Sequence, residues 1–113
     1  MIIENGLGLE AWISKFTINA GSIPKVVLTE GLKPLFIEED AYAGKPNPHA
    51  WMSPKRAMHY VDKIVEAFVE IDPDGEFEYR SNASTYKVKL ELLDKELRDS
   101  LLLIPKNRRF LVT

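Results

Sequence analysis

The chain has 113 residues, with 15 lysines and arginines against 17 aspartates and glutamates, for a formal charge of −2. That length suits one small domain with a real core, and the near balance of charge gives no electrostatic case for nucleic acid or an anionic membrane as partner. With no cysteine, disulfide scaffolds, thiolate zinc sites, iron–sulfur clusters and cysteine nucleophiles are excluded together, so any metal must be held by histidine and carboxylate.

The chain opens on "MIIENGLGLE", which has no basic start, long apolar run or cleavage site, so no export signal is expected within it. No stretch approaches the roughly 18–20 apolar residues that a membrane span needs. Ile2 and Ile3 before Asn5-Gly6 predict the end of a strand feeding a turn. From Leu7 the period changes: Leu9, Trp12, Ile13 and Phe16 fall at helical spacing. "KVVLT", bounded by Pro24 and Gly31, predicts a second strand, so the segment reads as a βαβ unit with parallel strands and a right-handed crossover.

"PLFI" predicts a brief extended segment, and "EEDAYAGKPNP" a polar loop of a length that is usually functional or mobile. His49, one of only two histidines, sits at the end of that loop within "KPNPHAWMSP". Ser53-Pro54 is a strong helix start, because serine caps free amides and proline at the first helical position loses no hydrogen bond. That helix is expected to run to about Ile71 with Ala57, Val61, Ile64 and Phe68 as its core stripe, and Asp72-Pro73-Asp74-Gly75 ends it.

Between Gly75 and Pro105 there is no proline or glycine. Tyr79, Ala83, Tyr86, Leu90, Leu93 and Leu97 alternate spacings of four and three, and Leu101 and Ile104 continue the stripe. The spacing predicts one unbroken helix from about Glu76 to Ile104, roughly 45 Å long at the standard rise per residue. "RRFLV" predicts a final strand. Strand edges at both ends of the chain and an uncovered helical stripe predict self-association, as a homodimer, a segment-swapped dimer or an aggregate.

From spacing alone His49 reads as an ordinary loop histidine bonded to a nearby carbonyl, and Trp51 as a residue packing against the body of the domain. His59 falls on a charged helical face with Lys55, Asp62, Lys63 and Glu66 and receives no role. Glu38, Glu39 and Asp40 lack partner spacing and read as a solvated run. No catalytic triad context and no phosphate-cradling loop is present, so no enzyme activity is expected.

Four blocks change the reading of His49: "ENGLGLEAWISKF", "KPNPHAWMSP", "IDPDGEFEYRSNASTYKVKL" and "IPKNRRFLVT", in that order and at these separations. Together they resemble the middle of the metal-binding receptors of ATP-driven manganese, zinc and iron importers, a family that includes bacterial surface lipoproteins once described as adhesins. The resemblance implies an α/β fold of two lobes joined by a long rigid helix, with metal held in the cleft between them. Residues 1–72 would then be the latter part of the first lobe, 73–104 the spine helix and 105–113 the start of the second lobe, so the chain would be partial. The family's site uses two histidines from the first lobe and a His or Glu plus an Asp from the second. Only His49 maps onto that set; the first histidine would precede Met1 and the other two ligands would follow Thr113. The implied cargo is manganese, with zinc or iron as alternatives. The loop before His49 lacks the histidine-rich run common in the zinc branch, which favours manganese by resemblance. The implied partner is an ABC importer permease, the implied location the periplasm or bacterial cell surface, and no organic cofactor is expected. The alternative is a helical interaction or dimerisation module in which His49 is structural.

Overall fold

The computed structural model describes residues 1–13 and 23–109. Strand β1 (Ile2–Glu4) pairs in parallel with strand β2 (Lys25–Val27), in the register Ile2 to Lys25, Ile3 to Val26 and Glu4 to Val27. The β-branched residues of these runs suit a pleated, half-buried surface. Glu4 is buried at the edge of this pair, where its carboxylate meets the Lys25 ammonium at 2.5 Å.

The helix predicted from Leu7 is not what residues 7–13 form. They make successive tight turns, with Leu9 N–H donating to the Gly6 carbonyl, Ala11 to Gly8 and Ile13 to Glu10. Glycines at 6 and 8, both at positive φ, favour such turns over a continuous helix. Phe16 and the rest of the predicted crossover lie outside the described residues, as does most of the predicted C-terminal strand.

Residues 35–47 close on themselves. Phe36 and Pro46 form an antiparallel bridge, flanked by Ile37 N–H to the Lys45 carbonyl at 2.9 Å and Asn47 N–H to the Leu35 carbonyl at 2.7 Å. The extended segment and the polar loop after it therefore form a narrow hairpin with a 3-10 turn, Asp40–Tyr42, near its tip. At that tip the Lys45 ammonium lies 5.1 Å from the centre of the Tyr42 ring. A second 3-10 turn, Ala50–Met52, leads directly into helix α1 (Pro54–Ile71).

Helix α1 begins as its sequence predicts, with the Ser53 hydroxyl accepting from Arg56 N–H and proline in the first turn. Its inward face differs from the predicted stripe. Pro54, Tyr60, Val65 and Ala67 are the buried residues, Ala57, Val61 and Ile64 are half-buried, and Phe68 remains 38% exposed. The face differs because α1 packs at once against the following helix, the 3-10 turns on either side of it and β2.

A 3-10 turn, Pro73–Gly75, reverses the chain into helix α2 (Glu76–Leu102), which is unbroken through Ser84 and Thr85 and ends two residues short of the predicted Ile104. The helices run antiparallel: Phe68 meets the Tyr79 ring edge-on at 5.4 Å, and further from the turn Lys87 bonds both Asp62 carboxylate oxygens at 2.8 and 2.9 Å. The Tyr79 hydroxyl donates to Asp72 at 2.6 Å and latches the turn itself. Leu90 is the last buried residue of α2. Beyond it the helix is carried by its own surface pairs, Lys95 with Asp99 and Arg98 with Asp94, both at 2.7 Å, each of which supports a helix by about 0.2–0.5 kcal/mol. After α2 the chain forms a 3-10 turn at Lys106–Arg108, which takes in the first residue of the run predicted as a strand.

Candidate metal centre

The site is built around His49, which lies exposed between the hairpin and the 3-10 turn ahead of α1. Its conformation is set by neighbours on both sides. Asn47 Oδ1 accepts the backbone N–H of His49 at 2.9 Å, and the same oxygen lies 2.9 Å from the His49 ring nitrogen Nδ1. The Trp51 ring stands almost perpendicular to the imidazole, with centroids 5.2 Å apart at 69°. Trp51 is 43% exposed and borders the imidazole.

The carbonyl before His49 is held as firmly. Pro48 O accepts from Ala50 N–H at 2.9 Å and from the Asn5 side-chain amide at 3.0 Å, which occupies both of its lone pairs. Ala50 is buried beneath the turn. Prolines at 46 and 48 fix φ on either side of Asn47, so little chain entropy remains to be lost when the imidazole is used.

Asn5 connects this loop to the rest of the molecule. Its amide also donates to the Gly6 carbonyl at 2.9 Å, and its Oδ1 accepts the Tyr60 hydroxyl of α1. Its backbone carbonyl accepts from Thr29 twice, from the hydroxyl at 2.6 Å and from N–H at 3.1 Å. Its N–H and that of Gly6 are both taken by the Glu10 carboxylate, at 2.7 and 3.0 Å. The end of β1, the turn after β2, helix α1 and the His49 loop thus meet on one residue, the turn through the Asn5 backbone carbonyl and α1 and the loop through its side-chain amide. Burial, chiefly, and the nearby Glu10 charge push the Tyr60 hydroxyl above its ordinary pKa, against a smaller opposing effect of Arg56. Tyr60 is therefore a neutral donor to Asn5 at physiological pH.

Gly6 is required here. Its φ is +91°, and a Cβ would press on the Thr29 hydroxyl and come within 2.5 Å of Val27 Cγ1.

His59 has a structural duty that its charged surroundings hid. Its Nε2 donates to the Glu30 carbonyl at 2.8 Å, bracing α1 against the turn after β2. Glu38 and Glu39 are exposed, and among the described residues no three histidine or carboxylate side chains come together as a metal cage. The sequence signalled His49 but not its supports. Asn5, Glu10, Asn47 and Tyr60 are ordinary polar residues, far apart in the chain, and only "NPH", an asparagine two before a histidine, hinted at one of them.

A parallel strand pair, one exposed imidazole on the loop that follows a hairpin and a long helix leading away make up part of an α/β fold. The whole chain, residues 1–113, matches the family described as zinc-uptake complex component A, periplasmic, and the chain belongs to that family. It is 44% identical over 113 residues to the iron-binding protein YfeA of Yersinia pestis, covering all of this chain and 36% of YfeA. It is 35% identical over 108 residues to the manganese-binding lipoprotein MntA of Halalkalibacterium halodurans, covering 96% of this chain and 35% of that protein. Its fold is similar to that of the manganese-bound periplasmic metal-binding protein of Candidatus Liberibacter asiaticus, with TM-score 0.84 and 32% identity over 98% of this chain and 41% of that one. The chain spans little more than a third of the length of the curated relatives it matches. The family is one of substrate-binding receptors for metal importers, not of enzymes.

Proposed function

We propose that this chain is the latter first lobe, spine and second-lobe start of an extracytoplasmic receptor. It would deliver a divalent metal, manganese before zinc or iron, to an ABC importer permease in the periplasm or at the cell surface. The supporting divisions are residues 1–72 for the lobe, 73–104 for the spine and 105–113 for the start of the second lobe. The observation that carries the reading is His49 itself: an exposed imidazole on a loop immobilised by Asn5, Asn47 and two prolines, with Nε2 unpartnered among the described residues. Such pre-organisation is costly to maintain for a histidine with nothing to bind, and it fits a donor that must meet an ion at fixed geometry.

Chemically, His49 would give the ion one borderline nitrogen. Hard carboxylate oxygens from the second lobe would complete a set that manganese accepts. One imidazole alone makes a weak and unselective site, so the 113-residue chain by itself should bind nickel or copper better than manganese. The test transplants this chain in place of the matching segment of a manganese-binding relative and titrates the chimera calorimetrically with manganese, zinc and ferrous iron. Loss of affinity in the His49→Ala chimera supports the reading, and unchanged affinity overturns it. The order of affinities among the three metals decides the cargo.

A further inference from the structure

The orientation of the imidazole carries an inference that rests on the reading of His49 as a metal donor. The backbone N–H of His49 can only donate, so the Asn47 atom 2.9 Å from it is the amide oxygen. That same oxygen lies 2.9 Å from Nδ1. An oxygen can only accept, so in the neutral ring Nδ1 must carry the proton. An amide oxygen has two lone pairs and accommodates both donors. Nε2 is then left with its lone pair, and no other group among the described residues bonds to it. We propose that Asn47 is a positioning residue that holds His49 in the Nδ1–H tautomer, so that Nε2 faces the cargo as a ready donor.

Three features argue that this is a built device and not an incidental turn. The Asn47 carboxamide is fixed by the backbone bond to His49, and Asn47 N–H is held by the Leu35 carbonyl of the hairpin. The Pro48 carbonyl between the two residues is held by Asn5 and Ala50, so Asn47 and His49 cannot move apart freely. Trp51 stands against the ring and limits its rotation about the Cβ–Cγ bond. Hydrogen bonds to the remote nitrogen of a metal-binding histidine fix its tautomer and raise its basicity, and their loss typically weakens binding about 10–100-fold.

His59 supplies an internal control. Its Nε2 faces a carbonyl oxygen, so its neutral ring must carry the proton on Nε2, the opposite assignment. Nitrogen NMR of the histidine-labelled chain at mildly alkaline pH distinguishes the two. The expected result is Nδ1–H for His49 and Nε2–H for His59. Asn47→Ala should let His49 drift towards Nε2–H while the His59 signals stay put. Asn47→Asp keeps both acceptor positions and should restore the wild-type pattern. Zinc titrated against the same samples should bind Asn47→Ala about tenfold more weakly than wild type. A wild-type His49 found as Nε2–H, which needs no variant to observe, overturns the proposal, as does an Asn47→Ala spectrum identical to wild type. If instead the tautomers behave as expected and His49→Ala leaves zinc affinity unchanged, the donor reading itself fails, and the proposal that rests on it fails with it.

Discussion

Removing the Asn5 side chain should loosen the His49 loop and the core together. Asn5→Ala deletes the bond to the Pro48 carbonyl and the acceptor of the Tyr60 hydroxyl. Tyr60 is buried, so its hydroxyl is left without a partner at a cost of about 1–3 kcal/mol, and the bond to Pro48 contributes about 1 kcal/mol more. A loss of roughly 2–4 kcal/mol is a large share of the 5–15 kcal/mol that holds a typical domain together. Tyr60→Phe removes the donor instead and leaves Asn5 Oδ1 free to take water, so it should cost less. In the double variant the orphaned hydroxyl no longer exists, and the combined loss should fall short of the sum by about 1 kcal/mol or more. Urea unfolding followed by circular dichroism on the four chains gives the cycle. Additivity within about 0.5 kcal/mol would mean that the two side chains do not interact, and the tie between α1 and the His49 loop would be refuted.

Gly6→Ala should destabilise by more than the roughly 1 kcal/mol of a left-handed alanine, because the new Cβ also meets Val27 and Thr29; a thermal midpoint unchanged from wild type would contradict that. Tyr60 titrates above its ordinary 10.0 in the folded chain, so the unfolded state loses its proton first and stability should fall as pH rises past that value. The alkaline decline in urea midpoint should be shallower in Tyr60→Phe, and an identical decline would remove Tyr60 as its source. The outer half of α2 leaves Leu97 and Leu101 47% and 53% exposed, so the isolated chain should self-associate. Light scattering at tens of micromolar should show a shift towards monomer in Leu97→Glu/Leu101→Glu, whereas a monodisperse wild-type monomer would refute the expectation.

The helices were legible because their signals are local. Ser53-Pro54 starts one, Pro73 separates them, and a proline-free stripe runs through the other, so α1 and α2 lie where the periodicity puts them. The strand pair was legible from "KVVLT" for the same reason. The turns at 7–13 were not, because Leu9, Trp12 and Ile13 carry helical spacing while Gly6 and Gly8 set the backbone, and periodicity does not record φ. The face of α1 was misjudged because Tyr60 is buried by a bond to Asn5, a contact 55 residues away that no helical wheel contains. The candidate site divides in the same way. His49 stood out through its motif, whereas Asn5, Glu10 and Tyr60 matter only through where the fold carries them.

The wiring of Asn5 also orders events in time. The helical hairpin is sealed by Tyr79 with Asp72, 7 residues apart, and by Lys87 with Asp62, 25 apart. The Asn5 bonds to Pro48 and Tyr60 span 43 and 55. Closing longer loops costs more chain entropy before any contact rewards it, so contacts of low separation tend to form first. The hairpin should therefore assemble while the segment around His49 is still unshaped, and the imidazole should take up its geometry in the closing step. Stopped-flow refolding would register this as helical circular dichroism recovering ahead of the NMR-detected His49 tautomer or of metal uptake; simultaneous recovery would argue for a single concerted step. Setting the His49 imidazole is on this view a late checkpoint: a half-folded chain has its helical scaffold while the ring is still unaimed.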